Sequence, residues 1–377
     1  MSSGSQDYFD KRVAAVRGEL ETLGADALLV SHLPNVAWLT GFPGSFAAIV
    51  LARGTLHFIT DPRYRLAIEQ RVATGDFPSD ARVNVTDRGI DTTVAAIVET
   101  LAIDSLAIEG EHVPVRRFRH LEAQLPKGSR LMPVEPFMER QRSVKDAAEL
   151  AIYREAAQRL AEVARGVPEM LREGRSEHEI AAEIDFAMRR NGFARPAFDT
   201  IVASGPNSAL PHARPTDRRL GAGDPLVLDF GGVYGGYCVD LTRTAFVGYP
   251  TKEFLAVVEA VTAAQAAAVA AVREGARASE IDAAARGLLA TRGLADFFAH
   301  ATGHGLGLDV HEYPRIGRPL PDGDDPVLRS GMVITIEPGA YVPGLGGARI
   351  EDDVLVGPHG AEVLTDIPRT LMRAGAR

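Results

Sequence analysis

The stretch Leu226-Val227-Leu228-Asp229-Phe230-Gly231-Gly232-Val233-Tyr234-Gly235-Gly236-Tyr237-Cys238-Val239-Asp240-Leu241 decides how the rest of the chain is read. Two apolar runs flank a glycine-rich centre, which is the pattern of a β-hairpin. With the turn centred on Tyr234-Gly235, Asp229 and Asp240 face each other across neighbouring strands. Opposed side chains have Cβ atoms roughly 5 Å apart, so two carboxylates there repel. Both are also costly to desolvate among apolar strand residues. A shared cation removes both penalties. A single aspartate would read as the end of a strand; this pair reads as metal ligands.

The pattern returns at Met332-Val333-Ile334-Thr335-Ile336-Glu337, followed by a Pro/Gly-rich connection through Gly347 and then Arg349-Ile350-Glu351. Glu337 and Glu351 again belong to neighbouring strands, and Pro338-Gly339 should stop the first strand directly after its carboxylate. Between the hairpins lies His300-Ala301-Thr302-Gly303-His304-Gly305-Leu306-Gly307, then Asp309-Val310-His311-Glu312. A lone histidine is most often structural, but three this close together around spaced glycines point to a site. The glycines let backbone approach a ligand closely. They do not form a nucleotide loop, because the spacing is not G-x-G-x-x-G. Four carboxylates and one imidazole suit Mn²⁺, Mg²⁺, Fe²⁺ or Co²⁺ better than a thiolate zinc site does. Five ligands exceed what one catalytic ion needs and fit two ions roughly 3.5–4 Å apart. Such a pair supports hydrolysis.

Working outward, the half of the chain that carries these hairpins contains a weak internal repeat. Arg172-Glu173-Gly174 precedes a helix ending at Asn191-Gly192, and Arg273-Glu274-Gly275 precedes one ending at Arg292-Gly293. Ser176 and Glu179 form a capping box in the first copy, and Ser279 is the expected cap in the second. Each helix is followed by a histidine and then by a hairpin with two carboxylates, which implies two similar halves about an approximate dyad. Upstream, Leu150, Tyr153, Ala157, Leu160, Ala164 and Val167 mark a helix capped by Ser143 and kinked or divided at Gly166 and Pro168.

The first 140 or so residues alternate helix and strand. Phe9, Val13, Val16, Leu20 and Leu23 share a helical face. Strands are expected at Asp26–Val30, Ala47–Leu51, Leu56–Thr60, Arg82–Thr86, Ser105–Glu109 and Arg130–Val134. This makes an α/β domain with a mixed sheet. The expected domains are residues 1–138 and 139–377. A chain of 377 residues fits two domains, and 46% hydrophobic with 24% charged residues is an ordinary globular composition. The net charge of -9 argues against nucleic-acid binding. One cysteine, Cys238, makes no internal disulfide and reads as a packing residue. The start has no basic-then-apolar leader, and no run approaches the roughly 18 apolar residues of a membrane span. A cytoplasmic protein without membrane partners is the default expectation.

The order Asp229, Asp240, His304, Glu337, Glu351 resembles the ligand set of the M24 "pita-bread" metallopeptidases. Ser204-Gly205-Pro206-Asn207-Ser208-Ala209-Leu210-Pro211-His212 and Gly303-His304-Gly305-Leu306-Gly307-Leu308-Asp309-Val310-His311-Glu312 resemble its Xaa-Pro branch, the aminopeptidase P and prolidase-like enzymes. The first domain is similar to their creatinase-type N-terminal domain. The resemblance implies an α+β fold: a creatinase-like α/β domain, then a pita-bread domain with pseudo-twofold symmetry. It implies two divalent ions per chain, manganese first, with cobalt, zinc or iron as alternatives. Asp229 would chelate one ion and His304 the other, while Asp240 and Glu351 would bridge. Glu337 would be a ligand and take a proton from the attacking water. His212 and His311 would touch the substrate near the scissile bond, and His300 would line the proline pocket. Arg349 and Tyr341 match substrate-side positions. The resemblance also implies a homodimer or homotetramer in which the N-terminal region around Trp38 can reach a neighbour's active site, although Trp38 itself reads as ordinary core. The implied substrate is a peptide with proline second. An Xaa-Pro aminopeptidase is favoured over an Xaa-Pro dipeptidase because no insertion closes the cleft. A creatinase-like C–N hydrolase or a non-catalytic binding homologue would lack metal ligands, and here none is missing.

Overall fold

The computed structural model describes residues 5–321, 323–369 and 372–374; Met1–Gly4, part of the start examined for a leader, lie outside the described residues. The chain divides into two compact units, Met1–Arg142 and Ser143–Arg377.

The first unit runs α1 (Ser5–Leu23), β1 (Ala27–Val30), α2 (Leu33–Thr40), β2 (Ala47–Ala52), β3 (Thr55–Thr60), α3 (Arg65–Ala73), β4 (Ala81–Val85), α4 (Ile90–Thr100), β5 (Ser105–Glu109), α5 (Val115–Gln124), β6 (Arg130–Val134) and α6 (Met138–Ser143). Its six strands form one mixed sheet in the order β4-β3-β2-β1-β5-β6, in which β2 alone runs antiparallel to its neighbours. The apolar face of α1 is buried through Phe9, Val13, Val16 and Leu20, but Leu23, on the last turn, stays 40% exposed. Helix α2 has no counterpart in the sequence pattern. Its start is fixed from outside the segment: the buried Glu109 carboxylate accepts the Ser31 and His32 main-chain amides at 2.6 and 2.8 Å and the Asn35 side-chain Nδ2 at 2.6 Å. Such a distant anion does for the helix start what a local cap residue normally does. Trp38 is buried on α2, with the Arg12 guanidinium 5.1 Å over its ring.

In the second unit α7 (Ala147–Met170) and α8 (Glu177–Arg190) precede β7 (Arg195–Pro196), β8 (Ile201–Ser204), β9 (Pro225–Asp229), β10 (Gly232–Tyr234), β11 (Tyr237–Val239) and β12 (Thr242–Val247). Then α9 (Lys252–Ala271) and α10 (Ala278–Thr291) precede β13 (Gly303–Gly305), β14 (Glu312–Ile316), β15 (Val333–Ile336), β16 (Gly339–Val342), β17 (Gly346–Arg349), β18 (Asp352–Val356), β19 (Ala361–Val363) and β20 (Met372–Ala374). The cap of α7 is Asp146, not Ser143. Asp146 accepts from Ala148 and Glu149 and completes a capping box with Glu149, a stronger acceptor placed one residue before the first turn. Nor is α7 divided at Gly166 or Pro168; Pro168 falls in the last turn, so only two helical residues follow the single N–H bond it deletes. By length and composition α9 could cross a membrane, contrary to the reading of the sequence. Its Phe254, Val257, Val258, Val261, Ala264 and Ala268 are instead core residues packed around α10 and the second hairpin.

The repeat appears bond for bond. Gly174, at φ 84°, donates to Leu220 O at 2.8 Å, and Leu220 N returns to Arg175 O at 2.8 Å. Gly275, at φ 80°, donates to Leu328 O at 2.9 Å, and Leu328 N returns to Ala276 O at 2.8 Å. Both turns need the left-handed region that glycine enters without strain. Ser176 and Glu179 do form a capping box. In the second copy the cap position is Arg277, and Ser279 instead donates its hydroxyl to Asp325 at 2.8 Å. The Asp325 carboxylate takes over the Ser279 amide as well, at 3.0 Å, which leaves no capping work for the hydroxyl.

Candidate metal centre

The first hairpin is shifted from its expected register. The pairs are Gly232↔Val239, Val233↔Cys238 and Tyr234↔Tyr237, so the turn is Gly235-Gly236, at φ 57° and 92°. A two-residue turn with both central φ positive matches the right-handed twist of its strands, and only glycine makes it cheaply. Asp229 therefore lies opposite Thr242 rather than Asp240. The two aspartates are diagonal neighbours, close enough to share an ion without direct opposition. In the second hairpin the pairs Ile336↔Asp352 and Gly339↔Arg349 place Glu337 and Glu351 opposite one another, just past the end of β15.

His304 sits at the middle of β13, between β14 and β15. A Cβ on Gly303 would lie 1.9 Å from Thr335 O, and one on Gly305 2.4 Å from Tyr313 O. The glycines here thus admit neighbouring backbone rather than a ligand. His304 Nδ1 lies 3.0 Å from Gly305 O, where it can only donate, leaving the Nε2 lone pair for an ion. Nε2 is 3.5 Å from Glu337 Oε1. Donor atoms of Asp240, His304 and Glu351 all lie within 4.8 Å of one another.

This cluster is out of balance by itself. Asp229 Oδ1 and Asp240 Oδ1 are buried with no hydrogen-bond partner. Burial and the adjoining Glu351 and Asp229 carboxylates push Asp240 well up, and burial with Glu337 and Asp229 does the same to Glu351. Burial raises Glu337 to about 7 against the pull of Arg349, and lowers His304 to about 4. Crowded anions short of donors beside a neutral imidazole are what divalent cations relieve, so this donor set fits metal ions.

The remaining sequence-derived residues fall into two groups. His212 and His311 are exposed, and the His311 ring is 4.3 Å from that of His304. Arg349 and Tyr341 lie behind the carboxylates, 3% and 6% exposed. Arg349 donates to Asp229 Oδ2 at 2.6 Å, Tyr341 Oη at 2.6 Å, Pro211 O at 3.1 Å and Thr242 Oγ1 at 3.1 Å. With its donors so engaged, Arg349 holds the site rather than facing a substrate. Because Arg349 donates to the Tyr341 oxygen, the phenol proton is left for His300 Nε2 at 2.9 Å, while His300 Nδ1 donates to Ala301 O at 2.8 Å. Burial and Arg349 lower His300 to about 4, so this pocket wall is neutral.

Several contributors escaped the sequence reading. Thr242 donates to Glu351 Oε2 at 2.6 Å, and its place two residues after Asp240 on one strand face is a signal that period-two reading could have used. Buried Asp353 accepts the Asp240 amide at 3.1 Å. Fully buried Arg243 ties the hairpins together, donating to Glu351 O at 2.5 Å and Asp352 Oδ1 at 2.7 Å. Arg315 is exposed, opposite His304 in the β13–β14 register.

Residues 151–358 match the model of Metallopeptidase family M24, and residues 12–144 match the Creatinase/Prolidase N-terminal domain. An Xaa-Pro dipeptidase of Pyrococcus horikoshii is 33% identical over 97% of this chain and 100% of the relative. The solved Xaa-Pro dipeptidase from Bacillus anthracis superposes with a TM-score of 0.90 at 32% identity, covering 96% of this chain and 99% of that one. The X-Pro aminopeptidase from Thermotoga maritima superposes with a TM-score of 0.82 at 34% identity, covering 94% and 99%.

Proposed function

Because the chain belongs to metallopeptidase family M24 and carries a creatinase/prolidase N-terminal domain, we propose that it hydrolyses the Xaa-Pro bond of dipeptides with two divalent ions held by Asp229, Asp240, His304, Glu337 and Glu351. The observation that carries the metal reading is the convergence of Asp240, His304 and Glu351 beside the unpartnered Asp229 and Asp240 oxygens. The bound ions supply Lewis-acid polarisation of the scissile carbonyl and a more acidic water.

The chain's own residues do the rest. Asp229 is oriented by Arg349, Glu351 by Thr242, and the Asp240 main chain by Asp353. Glu337 accepts the proton of the attacking water and passes it to the leaving proline nitrogen. His212 and His311, exposed at the mouth, donate to the substrate as charge develops on the carbonyl oxygen. His300 and Tyr341 form the neutral wall against which the proline ring packs.

Sequence alone favoured an aminopeptidase. Two observations move the reading to a dipeptidase. The P. horikoshii relative and the B. anthracis structure both carry the name Xaa-Pro dipeptidase. Arg315, in register with His304, has no carboxylate partner among the described residues and donates to Arg318 O at 2.9 Å, which leaves guanidinium donors for the free carboxylate of a dipeptide. Comparing Xaa-Pro with Xaa-Pro-Yaa in added Mn²⁺ tests this. Arg315→Ala should raise KM for the dipeptide about tenfold or more and leave the tripeptide nearly unchanged. Faster turnover of the tripeptide would restore the aminopeptidase reading.

A further inference from the structure

We infer that Glu177 is a positioning residue for this reaction: its buried carboxylate clasps both ends of the loop that presents His212. Glu177 opens α8 and is 0% exposed. At the near end of the loop it accepts Ser204 N and Ser204 Oγ, both at 2.7 Å, and Asn207 Nδ2 at 3.1 Å. At the far end it accepts Thr216 N at 3.0 Å and Thr216 Oγ1 at 2.6 Å. Every partner is a donor, so only an acceptor with two oxygens satisfies the site. Main-chain bonds double the far anchor, from Glu177 N to Arg218 O at 3.0 Å and His178 N to Thr216 O at 3.1 Å.

Between the anchors the loop is held along its back and by Ala213, which is buried against Ala203 and Val227. Gly347 N donates to Ser208 Oγ at 3.0 Å, and Arg349 reaches Pro211 O at 3.1 Å. Leu210 and His212 are exposed, so the loop sets the position of the His212 imidazole. A group that must meet a developing charge loses about a hundredfold in rate when misplaced by about 1 Å. Glu177 touches neither substrate nor proposed metal ligand, and its effect runs through the loop.

The inference rests on the role given to His212, and a double-mutant cycle separates the two. Glu177→Gln keeps the shape but turns an NH₂ toward donors, leaving at least one unsatisfied. At saturating Mn²⁺ and below its unfolding midpoint, E177Q should lower kcat/KM for an Xaa-Pro dipeptide by about 10–100-fold with metal content unchanged. In an H212A background the same substitution should cost less than about threefold, because the group it positions is gone. If E177Q does not fold, Thr216→Val, which removes the Oγ1 bond to Glu177 and the acceptor of the Arg218 amide, should show the same non-additivity with a loss of about 3–10-fold. Wild-type kinetics in H212A would overturn the role of His212 and the positioning claim with it. An impaired H212A whose loss simply multiplies with that of E177Q would overturn the positioning claim alone.

Discussion

Replacing the proposed proton acceptor should make the metal-stripped protein more stable while abolishing the activity of the metal-loaded one. Glu337 has an ordinary value of 4.5, and burial in the fold raises it to about 7. A carboxyl raised on folding favours the native state when neutral. Its contribution is fully present below about pH 4.5 and is lost as pH rises through about 7. The full difference is about 3 kcal/mol. Roughly 1 kcal/mol of that penalty has accrued at pH 5.5 and nearly all of it at pH 8. Glu337→Gln keeps the shape and removes the charge. In chelated protein its unfolding free energy should exceed wild type by about 1 kcal/mol at pH 5.5 and about 3 kcal/mol at pH 8. For a unit of this size the latter is roughly 6–12 °C in midpoint. Thermal unfolding at the two pH values, with and without Mn²⁺, reads this directly. Added metal should cancel the advantage, because ions favour the ionised carboxylate. A variant no more stable than wild type at pH 8, or a gap that does not widen from pH 5.5, would refute the account of a strained anionic cluster awaiting cations.

Asp240→Asn should reduce bound metal by at least one ion per chain in elemental analysis; two retained ions would remove Asp240 from the ligand set. Arg349→Met leaves Asp229 buried without its 2.6 Å partner and should cost about 3–5 kcal/mol in denaturant unfolding, with activity falling at least tenfold; a loss below about 1 kcal/mol would show the pair to be incidental. Gly303→Ala drives a Cβ into Thr335 O and should yield little folded protein, whereas Gly287→Ala, with open space at an exposed position of α10, should gain about 0.5–1 kcal/mol. Hydrolysis should decline from neutral toward acid as the ligands compete with protons for the ions; full activity near pH 4 would contradict the site.

The proposed ligand residues stood out in the sequence because carboxylates inside apolar strands need a reason, and the hairpins set them in chain order. Their mutual geometry was less so. Moving the turn from Tyr234-Gly235 to Gly235-Gly236 shifts the strand pairing by two residues, and a run of four near-equivalent candidates cannot choose its own centre. Caps failed in the same way: Asp146 and Arg277 took positions that Ser143 and Ser279 could fill, because serine hydroxyls have many competing partners. Helix α2 was hidden because Glu109, 74 positions beyond Asn35, supplies its N-terminal acceptor. Arg349 and Glu177 carry no local pattern. Their meaning lies in contacts made across the fold, such as Arg349 to Asp229 and Glu177 to Thr216, which a linear reading does not order.

The most direct test of the central claim is titration of metal-stripped protein with Mn²⁺ while bound metal and Xaa-Pro dipeptide hydrolysis are measured together. Two ions should bind per chain, activity should be negligible before the titration, and it should plateau at two equivalents with Xaa-Pro cleaved far faster than Xaa-Ala. Full activity in the stripped protein, or saturation of activity with no metal bound to the Asp229, Asp240, His304, Glu337 and Glu351 cluster, would contradict it.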